Sequence, residues 1–155
     1  MLGRDVYVLG VVARHMSGFS EELLRAYLQT EFCFSVPEHV DCRLVIGEAC
    51  PELAALMIDG AGTAAVLTAF NPRSQPTAVE DNADAQRALR ADLEDGGWTI
   101  FEGAGRGRTG EWPPEPSFLV IGISFGDAGH LAAKFGQNAI AFSGLDGIPR
   151  LVIGF

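Results

Sequence analysis

The stretch AAVLTAFNPRSQPTAVEDNADAQRALRADLEDGG, from Ala64 to Gly97, decides the fold that the sequence predicts. Its apolar beginning predicts a strand. That strand ends at the polar residues 71–75, here called the NPR corner, because Pro72 cannot donate to a sheet hydrogen-bond ladder. A helix is predicted from Thr77 to Asp95, opened by a capping box of Thr77 with Glu80 and ended by the glycine pair that closes the stretch.

Three more apolar runs downstream predict strands, namely WTIFEG (98–103), SFLVIGIS (117–124) and AIAF (139–142). Between the last two, Ser124 caps a second helix that Gly136 ends. The elements from Ala64 to Phe142 therefore follow the order β-α-β-β-α-β, which predicts an α+β fold with a ferredoxin-like core. In that core the first and third strands are adjacent and antiparallel, the fourth flanks the first, and the second flanks the third.

Elements on both sides are expected to extend this core. Ser20 caps an N-terminal helix predicted to run to about Phe32. A short strand is predicted from Arg43 to Ile46, and PRLVIGF (149–155) predicts an extra C-terminal strand. A chain of 155 residues has the length for one core. Residues 20–155 are therefore predicted to form a single domain, and residues 1–19 an extension or an extra strand.

The charge balance and the N-terminal residues limit the partners and the location. Eleven Lys and Arg against 20 Asp and Glu give a net charge of −9, which repels phosphates, so nucleic acid is not an expected partner. The apolar run from Val6 to Val12 is too short to span a membrane, and no secretory cleavage site follows it. A cytoplasmic location without membrane attachment is expected.

The cysteines and histidines predict neither a metal site nor a cofactor. Cys33, Cys42 and Cys50 lack the close spacing of zinc ligands, and we interpret them as small buried residues. The three histidines lie far apart in the sequence, with no second ligand at helical spacing.

The segment GRGRTG (105–110) matches the dinucleotide-binding fingerprint in its letters. That fingerprint must open a helix whose N-terminus receives the pyrophosphate, whereas a proline-rich segment and a strand follow here. A flexible loop from Gly103 to Pro116 is therefore expected.

The predicted helix carries two amides on the side where a core-facing stripe is expected. At roughly 100° per residue, one narrow face contains Val79, Asn82, Gln86, Leu89 and Leu93. A buried amide without a partner costs roughly 1–3 kcal/mol, so both amides need polar partners. They either satisfy the backbone of the NPR corner or reach a ligand.

The predicted strand order brings several polar segments to one edge of the sheet, here called the rim. The rim consists of the NPR corner, the start of the following helix, EWPPEPS (111–117) and GQN (136–138). Its helix N-terminus offers free N–H groups to an anion. The loop before Pro116 is expected to act as a lid with Trp112 as an apolar wall. The candidate ligand-binding residues are Asn71, Arg73, Asn82, Gln86, Glu115, Ser117, Gln137 and Asn138.

The roles of the charged rim residues stay open. Arg73 is suited to a phosphate or a carboxylate, or it pairs with Glu80 or Glu115. Glu111 and Glu115 are candidates for an acid–base pair, but no activated nucleophile is evident, so no catalytic residue is assigned. The sequence thus predicts binding of a small anionic or polar ligand at the rim. The alternative is a self-associating interaction module without catalysis, a homodimer joined through strand edges and the apolar end LVIGF (151–155).

Several segments in a fixed order carry a family resemblance, namely YLQTEFCF (27–34), TAFNPRSQPTAVEDNADAQRALRADL (68–93), EWPPEPSFLVIGIS (111–124), KFGQNAIAF (134–142) and GIPRLV (147–152). They resemble the bacterial family known only as domain of unknown function 3293, from about Leu24 to Val152. That family has no assigned activity, so the resemblance implies a stand-alone bacterial protein and supplies neither catalytic residues nor a cofactor.

Overall fold

The computed structural model describes residues 6–8, 11–13, 20–37, 41–58, 62–108, 110 and 113–155. This part of the chain is a mixed α/β structure. Its strands are β1 (Val6–Val8), β2 (Val11–Ala13), β3 (Thr30–Phe34), β4 (Cys42–Val45), β5 (Ala64–Leu67), β6 (Thr99–Gly107), β7 (Glu115–Ile121), β8 (Ala139–Ser143) and β9 (Arg150–Ile153). Its α-helices are α1 (Glu21–Leu28), α2 (Pro51–Met57), α3 (Val79–Asp95) and α4 (Phe125–Lys134), and a 3₁₀ turn spans Pro72–Ser74.

All of these strands join one sheet in the order β1-β2-β9-β8-β5-β7-β6-β3-β4. Neighbouring strands are antiparallel except β2 and β9, which are parallel. The adjacencies expected between Ala64 and Phe142 are present, because β5 pairs with both β7 and β8, and β6 pairs with β7. This order carries the end of β5 and the start of β7 to the same edge.

The core lies on both faces of the sheet because alternate residues of a strand point to opposite sides. On one face, Leu67 and Val120 pack against Leu89 and Leu93 of α3 and against the buried residues of α4. On the other face, β5, β7 and β9 pack against α2 and β4. Helix α1 is only half-buried against this second face. Within the described ranges, no helix has the length and apolar composition needed to cross a bilayer.

The N-terminal helix is four residues shorter than predicted, because α1 ends at Leu28 and Phe32 lies in strand β3. The Thr30 hydroxyl donates to the Ala26 carbonyl oxygen at 2.7 Å and so satisfies the last turn of the helix. Threonine and phenylalanine favour strands, and β3 gains partners on both sides by pairing with β4 and β6. The apolar spacing of this segment fitted a helix, but its tertiary partners select a strand.

The loop expected from Gly103 to Pro116 is also shorter than predicted, because β6 continues to Gly107. Strand β3 pairs along this glycine-rich stretch, and a Cβ at Gly103 would collide with the Cys33 carbonyl oxygen. At Gly105 a Cβ would approach the Phe32 ring at 3.0 Å. Gly103 and Gly105 make room for β3, so the first glycine of the fingerprint-like motif has a packing role.

Two expectations about helix starts were wrong. The capping box of Thr77 with Glu80 does not form, because the Thr77 hydroxyl donates instead to the Gln75 carbonyl oxygen at 3.0 Å and α3 begins at Val79. Helix α2 was not predicted, although Pro51 lies in its first turn, a position where proline is favoured. The caps expected at Ser20 and Ser124 are both confirmed.

Candidate functional site

The NPR corner has an unusual backbone. Asn71, Arg73 and Ser74 adopt left-handed conformations, with φ of 44°, 57° and 58°. These are the positive-φ residues other than glycine in the described part of the chain. Asparagine tolerates this region, whereas arginine and serine are strained there and need support from surrounding structure.

The buried amide of Asn82 supports the corner from α3. The Asn71 backbone N–H donates to Asn82 Oδ1 at 2.9 Å, and Asn82 Nδ2 donates to Asn71 Oδ1 at 2.9 Å. Asn82 Nδ2 also approaches the Thr77 carbonyl oxygen at 3.3 Å. Asn82 is only 5% exposed, so its polar atoms serve the corner and not the solvent.

Two glutamines hold the chain on either side of the corner. Gln86 Oε1 accepts from the Ala69 N–H at 2.9 Å, and Gln86 Nε2 donates to the Pro116 carbonyl oxygen at 3.2 Å. Gln137 Nε2 donates to the Phe70 carbonyl oxygen at 3.1 Å. The sequence left two roles open for Asn82 and Gln86, hydrogen bonding to the backbone or contact with a ligand. The structure shows that both side chains hydrogen-bond backbone groups.

Glu115, at the start of β7, faces the corner. Asn71 Nδ2 donates to Glu115 Oε1 at 2.9 Å, which joins the corner to β7 through one side-chain contact. Burial raises the pKa of Glu115 above its usual range, and the hydrogen bond from Asn71 partly opposes this rise. The neighbouring Ser117 is buried, and its hydroxyl donates to the Glu115 carbonyl oxygen at 3.2 Å.

Tyr27 of α1 belongs to this site, although it was not among the candidate ligand-binding residues. Its hydroxyl lies 3.4 Å from Ser74 Oγ, which also accepts from Asn138 Nδ2 at 3.0 Å. Burial raises the pKa of Tyr27, and the negative charge of Glu115 adds to the rise, while the Ser74 hydrogen bond lowers it. The signal that could have found it is a phenol beside the leucines of α1, Leu23, Leu24 and Leu28.

Arg73 is exposed, unlike the other candidate ligand-binding residues, and its guanidinium is not ion-paired with a carboxylate anywhere in the described ranges. The expected alternatives, pairs with Glu80 or Glu115, do not form. The backbone of Arg73 is fixed instead, since its N–H donates to the Gly136 carbonyl oxygen at 2.7 Å. A cation is thus held on a fixed backbone in a protein of net charge −9.

Some predicted features are absent from this site or lie outside the described residues. Glu111 and Trp112, proposed as an acid–base partner and as the wall of a lid, fall outside them. The apolar end proposed for self-association is mostly internal, since Leu151, Val152 and Ile153 are buried and only Phe155 is markedly exposed. In the part of the chain that the structure describes, no three His, Cys, Asp or Glu side chains are placed to hold a metal ion.

These observations define a mixed α/β protein with a polar corner braced by buried amides. Residues 67–140 match the model of the family described as protein of unknown function (DUF3293), and this match supports the family resemblance of the sequence. The matched segment contains the NPR corner, α3, Glu115, Gln137 and Asn138. No curated protein and no solved structure gives a significant match.

Proposed function

We propose that the NPR corner binds a small ligand carrying an anionic group, with Arg73 as its charged contact. The observation that carries this proposal is the exposed guanidinium of a residue in a left-handed conformation, which forms no ion pair with any residue that the structure describes. Strained backbone away from glycine persists where surrounding structure over-determines it, and such positions cluster at ligand-binding sites.

The hydrogen bonds around the corner support this role by fixing the backbone that presents Arg73. Asn82, Gln86 and Gln137 satisfy backbone groups within or beside the corner, so they position it and do not themselves contact the ligand. Guanidinium groups bind phosphates and carboxylates through two parallel hydrogen bonds, which favours one of these anions as the ligand group.

The remaining polar groups near the corner suit the uncharged part of such a ligand. Asn138 is half-buried, Ser74 is exposed, and their side chains are joined by one hydrogen bond that a ligand can replace. Glu115 accepts from Asn71 when ionised and is a donor to the ligand when protonated. No residue is proposed as catalytic.

Binding is tested by isothermal titration calorimetry and thermal shift with inorganic phosphate, succinate and adenosine monophosphate. Arg73→Gln removes the charge, and Arg87→Gln is the matched control, since Arg87 is an exposed arginine of α3 paired with Asp84. We expect at least one ligand to bind the wild type and Arg87→Gln equally, and Arg73→Gln about tenfold or more weakly. Equal binding by all three proteins, or binding by none, overturns the proposal.

Several finer expectations belong with this proposal. We propose that the unit from β5 to β8 is of the ferredoxin-like type, which its strand order β8-β5-β7-β6 and antiparallel pairing support. Self-association through strand edges, a bacterial source and a cytoplasmic location stay predictions from the sequence.

A further inference from the structure

Cys42 and Cys50 form a close pair on the face of the sheet away from α3 and α4. Their sulfur atoms lie 3.7 Å apart, although the residues belong to different elements, the edge strand β4 and the N-cap of α2. Cys42 is 0% exposed and Cys50 is 5% exposed. Two thiols held this close need only a small further approach to bond.

We propose that Cys42 and Cys50 are a redox-active pair that forms a reversible disulfide when the protein meets a peroxide. The proposal is independent of ligand binding at the NPR corner, because neither cysteine contacts that site in the described structure.

Cys50 is the thiol that reacts first, because Cys42 has no exposed surface and burial and the adjacent Cys50 raise its pKa. The Cys50 thiol donates to Glu52 Oε2 at 3.5 Å, so a base is in place for its proton. Cys50 sulfur attacks one oxygen of hydrogen peroxide, the O–O bond breaks, and the departing hydroxide takes the thiol proton through Glu52 and leaves as water. The product is a sulfenic acid on Cys50.

The second step closes the bond. Cys42 sulfur attacks the Cys50 sulfur, the S–O bond of the sulfenic acid breaks, and hydroxide leaves as water with the Cys42 proton. Two thiols and one peroxide thus give one disulfide and two waters. The two electrons lost by the sulfurs reduce the peroxide.

The bond would link two segments that contact the same neighbouring loop. The Gly47 N–H donates to the Pro149 carbonyl oxygen at 2.8 Å, and the Cys50 N–H donates to the Gly147 carbonyl oxygen at 2.9 Å. A disulfide between Cys42 of β4 and Cys50 at the start of α2 would covalently link the two elements on either side of the turn that makes these contacts. Oxidation would therefore rigidify this edge of the protein.

The test is intact-mass analysis of the folded wild-type chain before and after hydrogen peroxide, followed by peptide mapping without reduction. We expect a loss of about 2 Da, a linked pair of peptides containing Cys42 and Cys50, and full reversal by a thiol reductant. Cys33→Ser is the matched control and should oxidise as the wild type does, whereas Cys50→Ser should not lose mass.

Three results would overturn the proposal. They are an unchanged mass after prolonged peroxide, added oxygen without linked peptides, and a bond that includes Cys33. Because the wild type and Cys33→Ser give the decisive masses, the test stands even where Cys50→Ser fails to fold.

Discussion

Asn71 and Asn82 hydrogen-bond each other in both directions, with backbone N–H to side-chain oxygen and side-chain nitrogen to side-chain oxygen both at 2.9 Å. The first residue is in a left-handed turn and the second is buried in the first half of α3. This reciprocal contact fixes the NPR corner to α3, and neither of its two residues is exposed.

Replacing Asn82 with leucine is expected to destabilise the protein. The Asn71 N–H then loses its acceptor in a half-buried place, which should lower the free energy of unfolding by about 1–3 kcal/mol. Urea denaturation measures the loss. Arg87→Ala, at an exposed position of the same helix, should change stability by less than about 0.5 kcal/mol. Equal stability of the two variants would contradict the structural role of Asn82.

Replacing Arg73 with glycine is expected to stabilise the protein while removing the proposed ligand contact. Glycine adopts φ of 57° without a Cβ clash, and the exposed arginine has no ion pair to lose among the described residues, so the gain should be about 1 kcal/mol. The same change at Arg87, inside α3, should instead cost about 1 kcal/mol. A less stable Arg73→Gly protein in urea denaturation would show that the guanidinium itself holds the corner.

Any side chain at Gly103, in the glycine-rich end of β6, is expected to destabilise the protein. Alanine there must displace the Cys33 carbonyl group of β3, and overpacking of this kind costs typically about 1–3 kcal/mol. Gly126 offers the matched control, because a Cβ there meets only Ser124 Oγ at 4.0 Å and alanine favours the helix. Thermal unfolding should rank Gly126→Ala above the wild type and Gly103→Ala below it; the reverse ranking would refute the close packing of β3 on β6.

Glu115 is expected to make stability depend on pH. The pKa of Glu115 is raised in the folded protein. Above the ordinary glutamate pKa of 4.5, the folded protein therefore keeps the proton on Glu115 to a higher pH than the unfolded chain does. The contribution of Glu115 to the free energy of unfolding is therefore fully present below pH 4.5. It is lost as the pH rises through the pKa that Glu115 has in the folded protein.

Glu115→Gln isolates this effect, since glutamine keeps an acceptor for Asn71 but does not titrate. The variant should match the wild type in urea denaturation at pH 4 and exceed it increasingly towards pH 7. The lowered pKa values of Glu31 and Asp146, each caused by a neighbouring arginine, are shared by both proteins and cancel. A difference that does not vary with pH would show that Glu115 ionises normally.

Local signals predicted much of the centre of the fold. The hydroxyl of Ser124 and the continuous apolar run of β7 act over a few residues, so the sequence alone located α4 and its neighbouring strands. The two amides of α3 were recognisable because they interrupt an apolar stripe. Burial removes water from these amides, so both were expected to need polar partners. In the structure Asn82 bonds to Asn71, and Gln86 bonds to the backbone of Ala69 and Pro116.

Features that depend on distant partners were not predictable. Phe32 fits the spacing of a helix until β6 is present to pair with it. Thr77 has the sequence of a cap, but its hydroxyl bonds to Gln75 and its N–H donates to Asn71 Oδ1. Tyr27 joins the site only because α1 packs beside Ser74, a residue far along the chain. For Phe32 and Tyr27 the deciding contact is tertiary, whereas Thr77 is held by residues of the NPR corner just before it.

The parallel pairing of β2 with β9, the one such pair among the described strands, has a consequence for the order of assembly. Val11 of β2 lies opposite Leu151 of β9, about 140 residues later in the chain, whereas β5 to β8 all fall within residues 64–143. Contacts between distant segments form slowly because a large loop must close first. Strands β5 to β8 can pair without β2, but β2 cannot join the sheet until β9 has paired with β8. Refolding is therefore expected to proceed from the middle of the sequence outwards, with β1 and β2 attaching last.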